Sequence, residues 1–317
     1  MFIGHQKIVS LLNKSLKKRK IAQAYLFCGP ESVGKFTLAQ LFAESLISKK
    51  PEMNLTKLTA VENDGGEKEN YKLAGKDGFR LDMIVVKPEI EINRKGILKE
   101  KEIKIEKIKE VQKELSSFPY RGEYKILIIN NAHRMTESAQ NALLKILEEP
   151  NRTSVIILVT HEEGKIIPTI HSRCQKLKFY LVPQGEIKKE LSRTGDRADD
   201  EIIFLAMGRP GLATKIKAGS EEKLALGSAY QEIKSLPGLG INDRFRIAEE
   251  LSRNIPETIK KLDFWVWILN KEASESQELA KSVKRIKLAG EIEKSTESLK
   301  NTSFNSRLIL ENLLLSI

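Results

Sequence analysis

The sequence predicts an α/β domain built on a parallel sheet, followed by a chain that is helical to its last residue. In the first half, short apolar runs typical of strands buried on both faces alternate with helical patterns. A glycine-rich loop of the G-x-x-x-x-G-K type directly follows the first of these runs. After Val182 and Pro183 the strand pattern stops, and helical periodicity continues to Ile317.

The individual elements are predicted from the spacing of apolar residues. Apolar side chains recur at helical intervals over residues 105–115 and again over 139–147, and Pro150 closes the second segment. A further helical pattern follows the glycine-rich loop through Leu46. The predicted strands cover residues 24–28, 83–86, 126–129, 155–159 and 176–179.

Changes in composition predict the domain boundaries. The polar stretch 49–80 interrupts the α/β pattern and predicts an insertion, while clusters of glycine and proline at 208–211 and 236–240 interrupt the helical half. We therefore expect an α/β P-loop domain with its insertion, a small helical domain and a C-terminal helical bundle. Their predicted ranges are 1–182, 183–236 and 237–317.

Composition excludes several classes of protein. The 317 residues carry 54 basic and 43 acidic side chains, a net charge of +11 that favours an acidic partner, nucleic acid above all, without specifying one. The two cysteines, Cys28 and Cys174, are too few for a disulfide framework or a four-thiolate zinc site. No secretory pattern opens the chain, and no apolar run approaches the roughly 18 residues of a membrane span. We expect a cytoplasmic protein.

The loop between Gly29 and Lys35 has the frame of a phosphate-binding loop in its required strand–loop–helix setting. Its glycines, Gly29 and Gly34, allow backbone amides to converge on a phosphate, and Lys35 would reach the terminal phosphates of a nucleotide. The alternative is a chance glycine turn at the start of a helix.

Three groups needed for metal-dependent hydrolysis are missing from their usual positions. Phe36 stands where Mg²⁺ coordination needs a hydroxyl, and Thr37 comes one position late, rotated by about 100° around the helix. Asn130 and Asn131 stand at the strand end where P-loop ATPases carry carboxylates. We expect no ATPase activity from this chain alone and no required cofactor. The sequence leaves open that Lys35 and the loop amides hold ATP without cleaving it.

Three segments resemble the clamp-loader branch of the AAA+ ATPases, and within it the delta-prime family of bacterial DNA polymerase III. They are KIAQAYLFCGPESVGK, FPYRGEYKILIINNAHRMTESAQNALLKILEEP and PTIHSRCQKLKF, and the ending RLILENLLL is similar to that family's collar domain. The resemblance implies an AAA+ domain, a helical lid and an all-α collar.

The same resemblance implies a function and partners. Five such arms form a loader that opens the sliding clamp and places it on primed DNA, with gamma/tau and delta subunits as partners. Delta-prime arms commonly have a decayed ATP site, which agrees with the losses at Phe36, Asn130 and Asn131. The alternative is a gamma/tau-like subunit that hydrolyses ATP.

The resemblance also implies roles for single residues. Arg173, in Ser172-Arg173-Cys174, would be an arginine finger for the ATP site of a neighbouring subunit, because guanidinium is a permanent planar cation. The alternative is a surface arginine paired with a carboxylate. Thr160 is at the sensor 1 position or serves as a strand-end cap, and Arg209 is weakly placed for a sensor 2 role because Pro210 and the glycine after it suit a turn.

We expect no metal site. Many members of the family that the chain resembles carry a four-cysteine zinc module after the P-loop helix, where this chain has residues 49–80, which contain neither cysteine nor histidine. His5, His133, His161 and His171 fall on separate elements without metal-ligand spacing and are predicted at surface or cap positions. The basic runs at 14–20 and 281–287 are solvated helix faces or contacts to DNA phosphates.

Overall fold

The chain divides into two compact units. A computed structural model describes residues 2–50, 52–55, 81–92, 98–120, 122–193, 199–219, 221–300 and 305–317. The first unit comprises Met1–Arg197 with Gly208–Leu212, and the second comprises Ala198–Met207 with Ala213–Ile317. Most of the insertion predicted at 49–80 lies outside the described residues, and the three-domain division stays a prediction.

The first unit is built on a five-stranded parallel sheet. All five predicted strands are confirmed, each to within one residue at either end. They are β1 (Ala24–Cys28), β2 (Met83–Val86), β5 (Lys125–Ile129), β6 (Ser154–Thr160) and β7 (Gln175–Lys178), and a separate antiparallel pair consists of β3 (Ile90–Ile92) and β4 (Leu98–Glu100). The five strands of the sheet lie in the order β2-β5-β6-β1-β7.

Helices cover both faces of this sheet. In β1, Tyr25 and Phe27 join one apolar cluster with the helices α1 (Gln6–Lys18) and α2 (Lys35–Ile47), whereas Leu26 joins the other with α3 (Ile105–Leu115) and α4 (Glu137–Glu148). Successive strand residues point to opposite faces, so an apolar run with no polar positions is what a sheet buried on both sides requires. The helices of this unit are α1 (Gln6–Lys18), α2 (Lys35–Ile47), α3 (Ile105–Leu115), α4 (Glu137–Glu148), α5 (Pro168–His171) and α6 (Gln184–Arg193).

The register of the parallel strands brings the sequence motifs to one edge of the sheet. Cys28, the last residue of β1, is paired with Thr160 of β6, and Ile129 of β5 is paired with Leu158. The loops that follow these strands therefore leave the sheet side by side. In open parallel sheets this carboxyl edge is where ligands bind.

The second unit is helical, as predicted. Trp265 is fully buried in it, and its indole Nε1 donates to the carbonyl oxygen of Ala229 at 2.9 Å. Arg244 joins two helices by donating to the carbonyl oxygen of Leu314 at 2.9 Å. The helices in this part of the chain are α7 (Asp200–Leu205), α8 (Pro210–Lys217), α9 (Glu221–Ser235), α10 (Ile241–Ser252), α11 (Ile255–Glu275), α12 (Leu279–Lys300) and α13 (Ser306–Ser316).

One predicted turn is wrong and one is confirmed. Pro210 and Gly211 were expected in a turn but form the first residues of α8. Proline suits the first position of a helix, because the amide of that residue has no acceptor within the helix and its absence costs no hydrogen bond. The break at 236–240 contains a single 3₁₀ turn, Leu236–Gly238, and α10 begins directly after it. None of the described helices has both the length and the apolar content that a membrane span requires.

Candidate functional site

The phosphate-loop frame is present, but the protein's own packing already requires its glycines. Gly29 and Gly34 have φ angles of +138° and +93°, in a region that L side chains rarely adopt. A Cβ atom at Gly29 would lie 2.2 Å from the carbonyl oxygen of Phe179, and one at Gly34 would lie 2.9 Å from Cε2 of Phe2. The two glycines are therefore needed for the fold without any nucleotide.

Lys35 directs its ammonium group into its own loop. Its side chain is buried, and Nζ donates to the carbonyl oxygen of Gly29 at 2.7 Å and to that of Pro30. Burial lowers the pKa of Lys35 to about 8, because the charged form loses its hydration. The group that would reach the terminal phosphates of a nucleotide thus has two acceptors inside the chain.

The position of the metal-binding hydroxyl is taken by an aromatic ring. Phe36 packs against the core cluster that includes α1 and α2, and the Lys87 Nζ lies 4.8 Å from its ring centroid. Thr37 follows it within α2 and is half-buried. A phenyl ring offers no ligand to Mg²⁺, so this position does not fit the ion that P-loop hydrolysis uses.

The two asparagines after β5 are held by local hydrogen bonds. The backbone amide of Asn130 donates to the carbonyl oxygen of Val86 at 2.8 Å. Asn131 has a left-handed backbone, and its Nδ2 donates to Glu100 Oε1 at 2.9 Å, while Arg134 Nε donates to the other oxygen of the same carboxylate at 3.2 Å. The backbone amide of Asn130 and the side-chain amide of Asn131 thus take part in structural hydrogen bonds. Neither residue supplies a carboxylate at the motif positions.

Thr160 acts as a cap at the end of β6. Its side chain is fully buried, and Oγ1 accepts the backbone amide of Glu162 at 3.1 Å. The same oxygen lies 3.3 Å from His133 Nδ1. The strand-end cap is therefore observed, and the sensor 1 role stays a prediction.

His133 corrects a sequence-based prediction, because it is buried rather than at a surface or cap position. Burial lowers the pKa of His133 to about 3, and burial also lowers the pKa of His161 from its usual value. Their ring centroids are 4.1 Å apart, and Glu162 Oε1 lies 3.6 Å from His133 Nε2 and 3.7 Å from His161 Nε2. The spacing of these residues along the chain does not reveal the cluster. The one feature of the sequence that indicates it is that both histidines follow neighbouring parallel strands.

The segment that contains Arg209 is hydrogen-bonded to the phosphate loop. The backbone amide of Gly211 donates to the carbonyl oxygen of Ser32 at 2.8 Å, which attaches this segment to the loop. The charge of Arg209 adds to the effect of burial in lowering the pKa of Lys35. Among the described residues, the buried Nε of Arg209 has no hydrogen-bond partner. The sensor 2 role stays a prediction.

Arg173 lies exposed after α5, at a different place on the same unit. One guanidinium nitrogen donates to Glu148 Oε1 at 2.9 Å and the other donates to the carbonyl oxygen of Thr169 at 3.1 Å. The pairing with a carboxylate that the sequence left open is thus present in the single chain. Cys174 is partly buried against the cluster formed with α3 and α4, and burial raises the pKa of its thiol to about 12.

The basic runs are partly paired with acidic side chains. Lys17 pairs with Glu52, and Lys281 Nζ lies 3.0 Å from Glu278 Oε1. Arg285 Nε lies 3.2 Å from Glu272 Oε2. These pairs favour solvated helix faces, although contacts to DNA stay open.

Comparison with known proteins places the chain in a family. Residues 4–182 match the model of the family described as DNA polymerase III, delta subunit. The DNA polymerase III subunit delta' of Bacillus subtilis is 30% identical over 189 residues, covering 58% of this chain and 50% of that protein. The subunit gamma/tau of Mycobacterium bovis is 26% identical over 243 residues, covering 75% of this chain and 39% of that protein.

A solved structure of similar length also matches. It is a DNA polymerase III gamma subunit-related protein from Thermotoga maritima, 19% identical with 97% of each chain covered and a TM-score of 0.42. This chain spans half or less of the length of the two curated relatives. The family match covers more than half of the chain and contains the phosphate loop, the two asparagines and Arg173. The chain belongs to the family described as DNA polymerase III, delta subunit.

Proposed function

We propose that the chain is the delta-prime subunit of a bacterial replicative clamp loader. It is an arm that does not hydrolyse ATP, that supports opening of the sliding clamp and its loading on primed DNA, and that supplies Arg173 to the ATP site of a neighbouring subunit. The observation that carries the proposal is a contrast within one unit. The groups for hydrolysis are replaced at Phe36, Asn130 and Asn131, while Arg173 remains exposed.

The state of the phosphate loop supports the lack of hydrolysis. Lys35 already donates to the carbonyl oxygens of Gly29 and Pro30, so binding a phosphate requires it to exchange these partners. Asn131 is engaged with Glu100. A neutral amide can neither balance a divalent cation nor accept a proton from the attacking water. ATP binding without cleavage remains compatible with this site.

The environment of Arg173 supports a role outside its own chain. Its partner Glu148 is exposed, and an exposed ion pair contributes only about 0–1 kcal/mol, so the guanidinium can leave it at small cost. A planar guanidinium fork matches the oxygens of a γ-phosphate and stabilises the charge that develops during transfer. Its own unit lacks the hydrolytic groups, so the useful target is a nucleotide on another subunit.

The second candidate is a gamma/tau-like ATPase. It is favoured by the 26% identity with a gamma/tau subunit over 75% of this chain. Such an ATPase would require metal ligands elsewhere, because Phe36, Asn130 and Asn131 occupy the positions where P-loop ATPases carry a hydroxyl and carboxylates.

Two measurements on purified proteins test the proposal. We expect the chain to co-purify with the gamma/tau and delta subunits of the same organism as a stoichiometric complex. We expect the chain alone, with Mg²⁺ and ATP, to release phosphate no faster than its Lys35→Ala variant. Failure to enter the complex would overturn the delta-prime assignment, and phosphate release well above the Lys35→Ala control would favour the gamma/tau-like ATPase.

A further inference from the structure

Three potential metal ligands meet at the carboxyl edge of the sheet. They are His133, after β5, and His161 and Glu162, directly after β6. One ligand atom from each lies within 4.8 Å of the other two, and Glu162 Oε1 lies 3.6 Å and 3.7 Å from the Nε2 atoms of His133 and His161. A tetrahedral zinc ion with bonds of about 2.0–2.1 Å places its ligands roughly 3.3 Å apart. The two distances from Glu162 Oε1 exceed this value by only about 0.3–0.4 Å, and the longest separation within the cluster exceeds it by at most about 1.5 Å. Small side-chain rotations would therefore bring the three ligand atoms to a common ion.

His133 is the part of the cluster that points most directly to a ligand. Its side chain is completely buried, and among the described residues its Nε2 has no hydrogen-bond partner. Its Nδ1 lies 3.3 Å from Thr160 Oγ1, a hydroxyl oxygen with two lone pairs, one of which accepts the amide of Glu162. Donation from Nδ1 to the second lone pair leaves Nε2 with a free lone pair directed at the cluster. That tautomer is the one in which histidine binds a metal through Nε2.

One carboxylate oxygen of Glu162 is bound by a neighbouring lysine. Lys165 Nζ donates to Glu162 Oε2 at 2.7 Å, which leaves Oε1 to face the two imidazoles. A hydrogen-bonded carboxylate of this kind is what the outer shell of a metal site provides. His161 and Glu162 are partly exposed, so water can reach the cluster from that side and complete the coordination.

The donor set selects the kind of metal. Two imidazole nitrogens and one carboxylate oxygen suit zinc and its neighbours in the first transition row, whereas Mg²⁺ prefers oxygen ligands throughout. The cluster is thus chemically distinct from the Mg²⁺ site that the phosphate loop lacks.

We propose that a divalent transition-metal ion of the zinc type binds to His133 Nε2, His161 Nε2 and Glu162 Oε1, with a water molecule as the fourth ligand. The proposal revises the expectation, drawn from chain spacing and cysteine count, that the protein holds no metal. It does not depend on the function proposed above. The competing explanation is a hydrogen-bonded His–Glu cluster without metal affinity.

The test is a titration of the untagged, metal-stripped chain. We expect one equivalent of Zn²⁺ to bind in calorimetry, and one equivalent of Co²⁺ to give the intense visible absorption of a tetrahedral site. Glu162→Gln and His161→Asn should each weaken zinc binding by more than about 100-fold, since loss of an outer-shell partner alone costs 10–100-fold. Both residues are partly exposed, so these variants are expected to fold, and circular dichroism checks that they do.

The chain offers matched controls for both substitutions. Glu163→Gln removes the adjacent carboxylate, which pairs with Lys176, and His171→Asn removes an imidazole from α5. Both variants should bind zinc like the unmodified chain. The metal site would be overturned by absence of stoichiometric binding to the unmodified chain, or by equal losses in the control variants and the cluster variants.

Discussion

The phosphate loop and the segment around Arg173 lie in the same unit, but their cationic side chains differ in burial and in hydrogen-bond partners. Lys35 is buried and donates to two carbonyl oxygens of its own loop. Arg173 is exposed, and its only carboxylate contact among the described residues is with Glu148, which is itself exposed. The first cation is buried and bonded within its own loop, whereas the second is exposed on the surface of the unit.

This difference separates two kinds of motif within a single sequence. Substituting a residue that stabilises the fold should lower the free energy of unfolding. Substituting a residue that acts on a neighbouring subunit should lower the activity of the assembly instead. The following substitutions test the separation in order of the size of the effect expected on stability.

The largest expected effect is that of Gly29→Ala. The new Cβ would lie 2.2 Å from the carbonyl oxygen of Phe179 at a φ angle of +138°. Together, backbone clash and strain should lower the free energy of unfolding by at least about 3 kcal/mol. Urea denaturation measures it, with Gly164→Ala as the control, because no atom lies within 4 Å of a Cβ added at Gly164. Equal effects of the two substitutions would show that the loop glycine is not required by packing.

A smaller effect is expected in the pH dependence of stability. Burial lowers the pKa of Lys35 from 10.5 to about 8, so between these values the folded chain has released a proton that the unfolded chain still binds. Stability relative to a Lys35→Met variant should therefore rise as the pH increases from 8 to 10.5, by at most about 3 kcal/mol. Urea denaturation of both proteins at several pH values measures the difference, in which the titration of other groups largely cancels. A difference that stays constant with pH would contradict the buried, desolvated state of Lys35.

The smallest effect on stability is expected for Arg173→Ala. The lost pair with Glu148 is exposed on both sides, so the free energy of unfolding should fall by less than about 1 kcal/mol. Glu148→Gln removes the same pair from the other side and should have a similar effect. Thermal denaturation of the two variants checks this, and a loss of several kcal/mol would mean that Arg173 serves the fold after all.

The backbone of the sheet could be predicted from the sequence because its physical cause is local. Strands buried on both faces are largely apolar, and all five residues of β1 are buried apolar side chains. The start of α8 could not be predicted with the same ease, since proline followed by glycine is compatible with both a turn and a first helical turn.

The site itself was less accessible to sequence reasoning. The missing hydroxyl at Phe36 and the missing carboxylate at Asn130 are visible as residue identities. The inward direction of Lys35, the approach of Arg209 to the loop and the meeting of His133 with His161 depend on tertiary contacts. No spacing along one chain encodes them, although the neighbouring strand ends offered a hint for the histidines.

The most direct test of the central claim is the ATPase activity of a loader reconstituted with the Arg173→Ala variant. We expect the complex to assemble with unchanged stoichiometry, and its hydrolysis stimulated by clamp and primed DNA to fall, because one ATP site loses a cation supplied from outside. Arg173→Lys should restore the activity only in part, since an ammonium group keeps the charge without the planar fork. Glu148→Gln, which leaves the guanidinium in place, should retain the stimulated activity. An Arg173→Ala complex that assembles and hydrolyses ATP like the unmodified loader would contradict the claim and leave Arg173 as a surface ion pair.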